Sequence, residues 1–180
     1  MSRFLTSAFL CLILAGCASY AKTPSRGVGG GVSDLPPYVI NVAQAARLKT
    51  PGRPLQCVPY ARKASGIAIR GDAWTWWQQA EGRYQRHSRP DEGSVLVLRR
   101  TQRLNGGHLA VVTRVLDERT ILVSHANWLN RGRIHENIPV RDVSEKNDWS
   151  LVRVWYLPGR TLGLRSYPAH GFIRPRQPSA

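Results

Sequence analysis

Two apolar runs joined by a short charged turn constrain the fold of this chain more than any other feature. Residues 108–116 and 120–126 are mainly apolar and rich in β-branched side chains, and Asp117-Glu118-Arg119 separates the two runs. Short runs of this composition are typical of β-strands, and a connection of three residues makes neighbouring strands antiparallel. This stretch therefore predicts an antiparallel β-hairpin.

Other segments extend this prediction on both sides. Helices are expected at 57–65, where Gly66 follows the last turn, and from Asp72, the expected N-cap, to Glu81. A weaker helical pattern covers 39–49. Further strands are expected at 94–98, 133–138 and 151–157, with a polar connection at 83–93. Helices followed by consecutive strands favour the α+β class, with N-terminal helices packed on an antiparallel sheet.

The first residues predict export. Arg3 precedes an apolar segment at 4–15, which is too short to span a bilayer and has the character of a signal peptide. Leu14-Ala15-Gly16-Cys17 resembles the bacterial lipobox, in which the cysteine is lipidated and becomes the new N-terminus. Residues 1–16 are thus expected to be a lipoprotein signal peptide and Cys17 the lipidation site. Ordinary secretory cleavage near Ala18 or Ala21 is the alternative.

The lipobox resemblance also implies a location and an organisation. With Ala18 after the cysteine, it implies the periplasmic face of the outer membrane or the cell envelope. Residues 17–37 contain a glycine run and Pro36-Pro37, a composition typical of a tether. The folded body is expected at 38–158, because 180 residues suit one domain. The basic Pro/Gly-containing segment 159–180 is expected to be a tail lying loosely over the surface.

Charge narrows the class of partner. The formal net charge is +15 and is spread along the chain, which favours nucleic acid, anionic lipid or an acidic wall polymer. Export makes nucleic acid an unexpected partner. A lipid-anchored position at the membrane and contact with wall polymer remain as expectations, and the sequence predicts no oligomeric state.

One cysteine stands alone in the expected body. Of three cysteines, Cys11 leaves with the signal peptide and Cys17 carries lipid, so Cys57 has no intrachain partner. Cys57 begins a predicted helix, where free N–H groups and the helix dipole stabilise a thiolate and can face a developing oxyanion. Gln56 offers a further donor to that oxyanion. A buried, inert thiol is the alternative interpretation.

The hairpin can supply a base and a residue that orients it. His108 opens the first strand directly after Gly106-Gly107, and Asn127 follows the end of the second strand. With the turn centred near residue 118, positions 108 and 127 are nearly opposite. A nucleophilic thiol needs an imidazole base whose other nitrogen is held by a polar group. Cys57, His108 and Asn127 are therefore the predicted catalytic residues.

These residues and their surroundings resemble the CHAP family, the cysteine, histidine-dependent amidohydrolases/peptidases. The resemblance rests on Gln-Cys-Val-Pro-Tyr-Ala at 56–61, Gly-Asp-Ala at 71–73, Pro-Asp-Glu-Gly-Ser-Val at 90–95, Gly-His-Leu-Ala-Val-Val at 107–112 and His-Ala-Asn-Trp at 125–128. It implies a papain-like fold and cleavage of amide bonds in peptidoglycan by an amidase or endopeptidase. It also implies Cys57 as nucleophile, His108 as base and Asn127 as the residue that orients it.

One position departs from the family pattern. Many members have Glu or Asp where this chain has His125, so this histidine is expected to orient His108, contact substrate or weaken the enzyme. Trp76 is expected to line the cleft, and Trp128 to shield the bond between Asn127 and His108. The histidine and cysteine spacing matches no common zinc pattern, so no metal or cofactor is expected. A non-catalytic peptidoglycan-binding or scaffold lipoprotein is the alternative function.

Overall fold

Antiparallel strands form most of the protein. The computed structural model describes residues 54–128 and 132–176. The strands in this part of the chain are β1 (Gln85–His87), β2 (Val95–Leu98), β3 (His108–Asp117), β4 (Thr120–Ala126), β5 (Ile134–Asp142), β6 (Leu151–Tyr156) and β7 (Thr161–Arg174). The hairpin predicted from the two apolar runs is confirmed as β3 and β4. Strand β1 lies within the predicted polar connection and was not anticipated.

Strand β7 closes the sheet into a six-stranded barrel. The strand order is β1-β7-β2-β3-β4-β5-β6, and β6 also pairs with β7. The first half of β7 pairs with β6, and the second half pairs with β2 and β1. The expectation of a loose tail from residue 159 is therefore wrong for 161–174. Phe172 and Ile173 of this strand are fully buried.

The helices are fewer and shorter than expected. Helix α1 (Cys57–Ser65) has the predicted bounds and ends at Gly66, whose φ of 76° is the left-handed conformation common after a helix. The second predicted helix is a 3₁₀ turn (Ala73–Thr75) followed by one turn of α-helix, α2 (Trp76–Gln79). Aromatic and β-branched residues are weak helix formers, which accounts for the early end of this segment.

Two apolar cores lie on opposite faces of the barrel wall. The outer core joins α1 and the 3₁₀ turn to β2 and β3, and the inner core fills the barrel. Leu109 and Val111 face the outer core, whereas Ala110 and Val112 face the inner core, as the alternation of β3 requires. The α+β prediction is thus confirmed only in part. Helices pack on an antiparallel sheet, but strands dominate and the sheet is closed.

Several predictions fall outside the described residues. These are the signal peptide, the tether, the lipidation site Cys17 and the weak helix at 39–49. Across 54–128 and 132–176, no helix has both the length and the apolar character required to cross a membrane.

Candidate active site

Cys57 occupies the first position of α1, where backbone N–H groups are unpaired by the helix. Gln56, the N-cap residue, makes no side-chain capping bond, and Pro59 has no N–H. Cys57 packs against the apolar cluster that contains Leu109 of β3. Leu109 directly follows His108 in the chain, so the tip of α1 contacts the beginning of β3.

The thiol of Cys57 is not predisposed to ionise at rest. Burial raises its pKa, and this effect outweighs the N–H groups of Leu109, Val58 and Cys57 itself, which lower it. The expected stabilisation by the helix N-terminus is therefore present but is not the dominant effect. Cys57 nevertheless keeps partial solvent exposure, and within the described residues it is a free cysteine.

His108 is held by close backbone packing at the start of β3. Gly107 has a φ of 66°, and a Cβ at this position would lie 2.9 Å from the backbone nitrogen of Trp74 and 3.0 Å from the carbonyl oxygen of Leu98. A glycine is therefore required for both the conformation and the space. The His108 side chain is only 4% exposed. No hydrogen bond joins its ring to Cys57 Sγ within the described part of the chain.

His125 is the residue that bonds the ring of His108. The Nε2 atom of His108 and the Nδ1 atom of His125 are 3.1 Å apart, and the rings are nearly perpendicular at 78°. One nitrogen must donate and the other accept. Burial lowers the pKa of His108 to about 3. Burial also lowers the pKa of His125, and the charges of His108 and His135 add to this effect, so both rings are neutral at pH 7.

Asn127 makes hydrogen bonds that differ from the expected bond to His108. Its Nδ2 donates to Gln56 Oε1 at 2.7 Å, and its Oδ1 accepts from the Gly132 N–H at 2.9 Å. Asn127 has a φ of 58°, so the chain leaves the extended conformation here and the side chain turns away from the base. The carboxamide therefore ties the β4–β5 turn to the start of α1.

Gln56 is engaged by the same network. Its side-chain oxygen accepts from Asn127, and its Nε2 donates to the Pro54 carbonyl at 3.2 Å. The amide that was expected to face an oxyanion is thus directed to the chain before α1. The backbone N–H groups of Leu109, Val58 and Cys57 remain the donors that lower the pKa of the thiol.

The two tryptophans assigned to the site have different environments. Trp128 packs against both histidines, with ring centroids 4.8 Å from His108 and 5.6 Å from His125. It also lines an open, mainly apolar groove of about 510 Å³ between β6 and β7, beside Tyr167. Trp76 is completely buried in the outer core, so the expectation that it lines a cleft is wrong.

A third histidine near the pair was missed by the sequence analysis. His135 is the antiparallel partner of His125 across β4 and β5, and the two ring centroids are 5.9 Å apart. The register of these strands was the only signal that could have identified it. Among the described residues, no group of three or more histidine, cysteine or acidic side chains has an arrangement suited to a metal ion.

The fold and site define a class of protein. It is an antiparallel barrel with a helix packed against it, in which a cysteine begins the helix and a buried histidine begins the neighbouring strand. Residues 49–127 match the CHAP domain family, so the resemblance to CHAP domains is confirmed for this segment. The matched segment contains Cys57, His108, His125 and Asn127.

The crystal structure of an N-acetylmuramoyl-L-alanine amidase from Staphylococcus aureus is similar at 26% sequence identity, with a TM-score of 0.44. The similarity covers 55% of this chain and 30% of the amidase chain, so this protein corresponds to less than a third of that enzyme. No curated protein matches the sequence.

Proposed function

We propose that this protein is a cysteine-dependent hydrolase that cleaves amide bonds in peptidoglycan. The observation that carries the proposal is the position of Cys57 at the start of α1, packed against the core that contains Leu109, next in the chain to the bonded His108. These residues lie in the segment that matches the CHAP domain family. A thiol, an imidazole and unpaired backbone donors are the groups that acyl transfer requires.

The proposed reaction starts from a neutral thiol and a neutral imidazole. The substrate carbonyl enters beside the tip of α1, and Cys57 Sγ attacks its carbon while the thiol proton passes to Nδ1 of His108. The N–H groups of Cys57 and Val58 stabilise the negative oxygen. His108 then gives the proton to the leaving amine, which leaves a thioester on Cys57. Water, with its proton taken by His108, hydrolyses the thioester and restores the thiol.

The proposal extends to the position of the enzyme in the cell. We propose that Cys17 is lipidated and that residues 17–37 tether the domain to the membrane at the periplasmic face of the cell envelope. The formal net charge of +15 favours contact with acidic wall polymer. Lipid on the mature N-terminus, detected by mass spectrometry after expression in a bacterial host, tests this part. A mature protein without lipid on Cys17 contradicts it.

Digestion of purified peptidoglycan tests the enzymatic proposal. The full chain is expected to release soluble muropeptides, and the Cys57→Ala variant to release none above background. Mass analysis of the new chain ends distinguishes an amidase, which separates muramic acid from L-alanine, from an endopeptidase, which cuts within the peptides. Equal release by both proteins contradicts the proposal.

A non-catalytic scaffold is the second candidate function. It is favoured by the raised pKa of Cys57 and by the absence of a hydrogen bond between Cys57 and His108 in the described structure. This candidate predicts that wild-type protein co-sediments with peptidoglycan and releases no fragment, and that Cys57→Ala co-sediments equally. Turnover that depends on Cys57 excludes it.

A further inference from the structure

We propose that His135 is a positioning residue that fixes the proton of His125, and through it the proton of His108. The three histidines then form a series that holds the base in the one tautomer able to accept the Cys57 proton. This inference rests on the proposed function, because that function makes His108 the acceptor. The role of His135 is indirect, since it touches neither the substrate nor the sulfur.

The chemistry of the bond between His108 and His125 determines where each proton must lie. To accept a proton at Nδ1, a neutral His108 must carry its own proton at Nε2. That Nε2–H can only donate to Nδ1 of His125, 3.1 Å away. His125 must then carry its proton at Nε2. If His125 instead carried its proton at Nδ1, it would donate to Nε2 of His108. His108 would then carry its own proton at Nδ1, the nitrogen that must accept the thiol proton, and could not act as a base.

The required proton on His125 has no acceptor in the arrangement shown by the described residues. His125 Nε2 is buried and makes no hydrogen bond, and His135 Nδ1 is likewise buried and unpartnered. A buried donor without an acceptor costs about 1–3 kcal/mol, so a neighbouring free acceptor has a strong effect on the tautomer. These two nitrogens belong to rings that are already in contact.

The placement of His135 allows the two nitrogens to pair. His125 and His135 are cross-strand partners, with centroids 5.9 Å apart and planes at 61°. His135 is only half-buried, so its ring can rotate toward His125 or share one bridging water with it. Its own Nε2 proton can then face solvent.

The surroundings of His135 keep its ring neutral, so that one ring nitrogen can accept a hydrogen bond. Burial lowers the pKa of His135, and the positive charge of Arg133, which directly precedes β5, lowers it further. The ring is therefore neutral at pH 7 and has one nitrogen free to accept. A positively charged His135 would have no acceptor atom and would repel His125.

Imidazole ¹⁵N NMR of the full chain at neutral pH tests the proposal without reference to activity. The chain has five histidines, so single substitutions assign the signals. In wild-type protein we expect His125 to be protonated at Nε2 and unprotonated at Nδ1. His135→Asn places an amide oxygen near the position of Nδ1 and should preserve this tautomer, whereas His135→Leu should mix the two tautomers. His87→Leu, at a histidine on β1 bonded to Gln85, is the matched control and should change nothing.

Kinetics on peptidoglycan fragments provide the second readout. His135→Leu should lower kcat about tenfold with little change in KM, and His135→Asn should restore most of it. A wild-type His125 protonated at Nδ1, or a His125 tautomer that is the same in His135→Leu, overturns the proposal. Failure of the proposed function is a separate result, because it would appear as no hydrolysis, or as hydrolysis that does not need Cys57, and would leave the NMR outcome intact.

Discussion

His125 Nδ1 lies 3.1 Å from His108 Nε2, in the position where many CHAP domains have a carboxylate. A carboxylate stabilises a protonated imidazole, whereas a neutral imidazole can only orient it. Burial lowers the pKa of His108 to about 3, and with no carboxylate at position 125 to oppose this effect the pair stays uncharged. The enzyme proposed here therefore starts from a neutral thiol and a neutral base, and separates charge only when substrate is bound.

A carboxylate in place of His125 should make His108 a stronger base. In His125→Glu we expect the pKa of His108 to rise by about 1–3 units, because an opposite charge within bonding distance favours the protonated ring. The acidic limb of the kcat/KM profile should then move to higher pH. His125→Ala, which leaves Nε2 of His108 without a partner, should lower kcat/KM on the order of 10²-fold. An acidic limb at the wild-type pH in His125→Glu would show that residue 125 does not act on the base.

The two glycines before His108 should respond differently to alanine. In Gly107→Ala the new methyl group would meet the backbone of Trp74 and Leu98, and the residue would keep a positive φ. We expect the free energy of unfolding to fall by about 2 kcal/mol or more. Gly106→Ala is the matched control, because no atom lies within 4 Å of its Cβ position. Urea denaturation measures both, and equal stability of the two variants would contradict this account of the turn.

Strand β7 should contribute to stability as a member of the barrel. Phe172 is fully buried and packs edge-to-face on Trp149, so Phe172→Ala should lower the free energy of unfolding by about 3–5 kcal/mol. Leu164 lies in the same strand and is 90% exposed, so Leu164→Ala should change it by less than about 0.5 kcal/mol. Small and equal effects in the two variants would mean that the segment is the loose tail expected from the sequence.

Asn127 should behave as a structural link between α1 and the β4–β5 turn. Asn127→Gly removes the bonds to Gln56 and Gly132 but tolerates the φ of 58°, whereas Asn127→Ala removes the same bonds and adds conformational strain. Asn127→Ala should therefore be less stable than Asn127→Gly by about 1 kcal/mol, measured by urea denaturation. In both variants the His108 tautomer seen by ¹⁵N NMR should stay that of the wild type. A changed tautomer would restore the role in orienting His108 that the sequence suggested.

The stability of the protein should fall as the pH falls from about 6.5 toward 3. Folding lowers the pKa of His108 to about 3 from an ordinary value of 6.5, so in this window the unfolded chain binds the additional proton. The loss should approach about 1.4 kcal/mol per pH unit for each such histidine, and His125 adds to it. Urea denaturation at pH 7.5 and 5.0 measures the difference. His108→Gln should show a shallower dependence, and an equally steep one in this variant would assign the effect to other groups.

The sequence predicted those helices and strands that are marked by patterns of neighbouring residues. The hairpin β3–β4, the bounds of α1 and the approximate positions of β2, β5 and β6 followed from apolar, β-branched runs and from turn residues. Strand β7 did not, because Gly163, Pro168 and Gly171 interrupt its pattern. Its pairing with β2 also joins residues more than seventy positions apart. The closure of the barrel was not predicted, because it depends on the pairing of β7 with strands that are distant in sequence.

The sequence predicted which residues lie near the site better than it predicted which of them are hydrogen-bonded to each other. The hairpin register brought 108 and 127 to the same end of the strands, and this expectation rested only on counting. The positive φ of Asn127 then redirects its side chain to Gln56, and His125 takes the bond to His108. A backbone conformation of this kind has no periodic signal. The pairing of His125 with His135 depended on the β4–β5 register, which the sequence left undefined.

A covalent intermediate on Cys57 tests the central claim most directly. The full chain is mixed with a defined muropeptide, quenched in acid during turnover, and analysed by intact-protein and peptide mass spectrometry. The account predicts that the protein mass increases by that of the acyl fragment, that the fragment maps to the peptide containing Cys57, and that Cys57→Ala shows no increase. Turnover of the muropeptide by Cys57→Ala at the wild-type rate, or an acyl fragment attached at another residue, would contradict it.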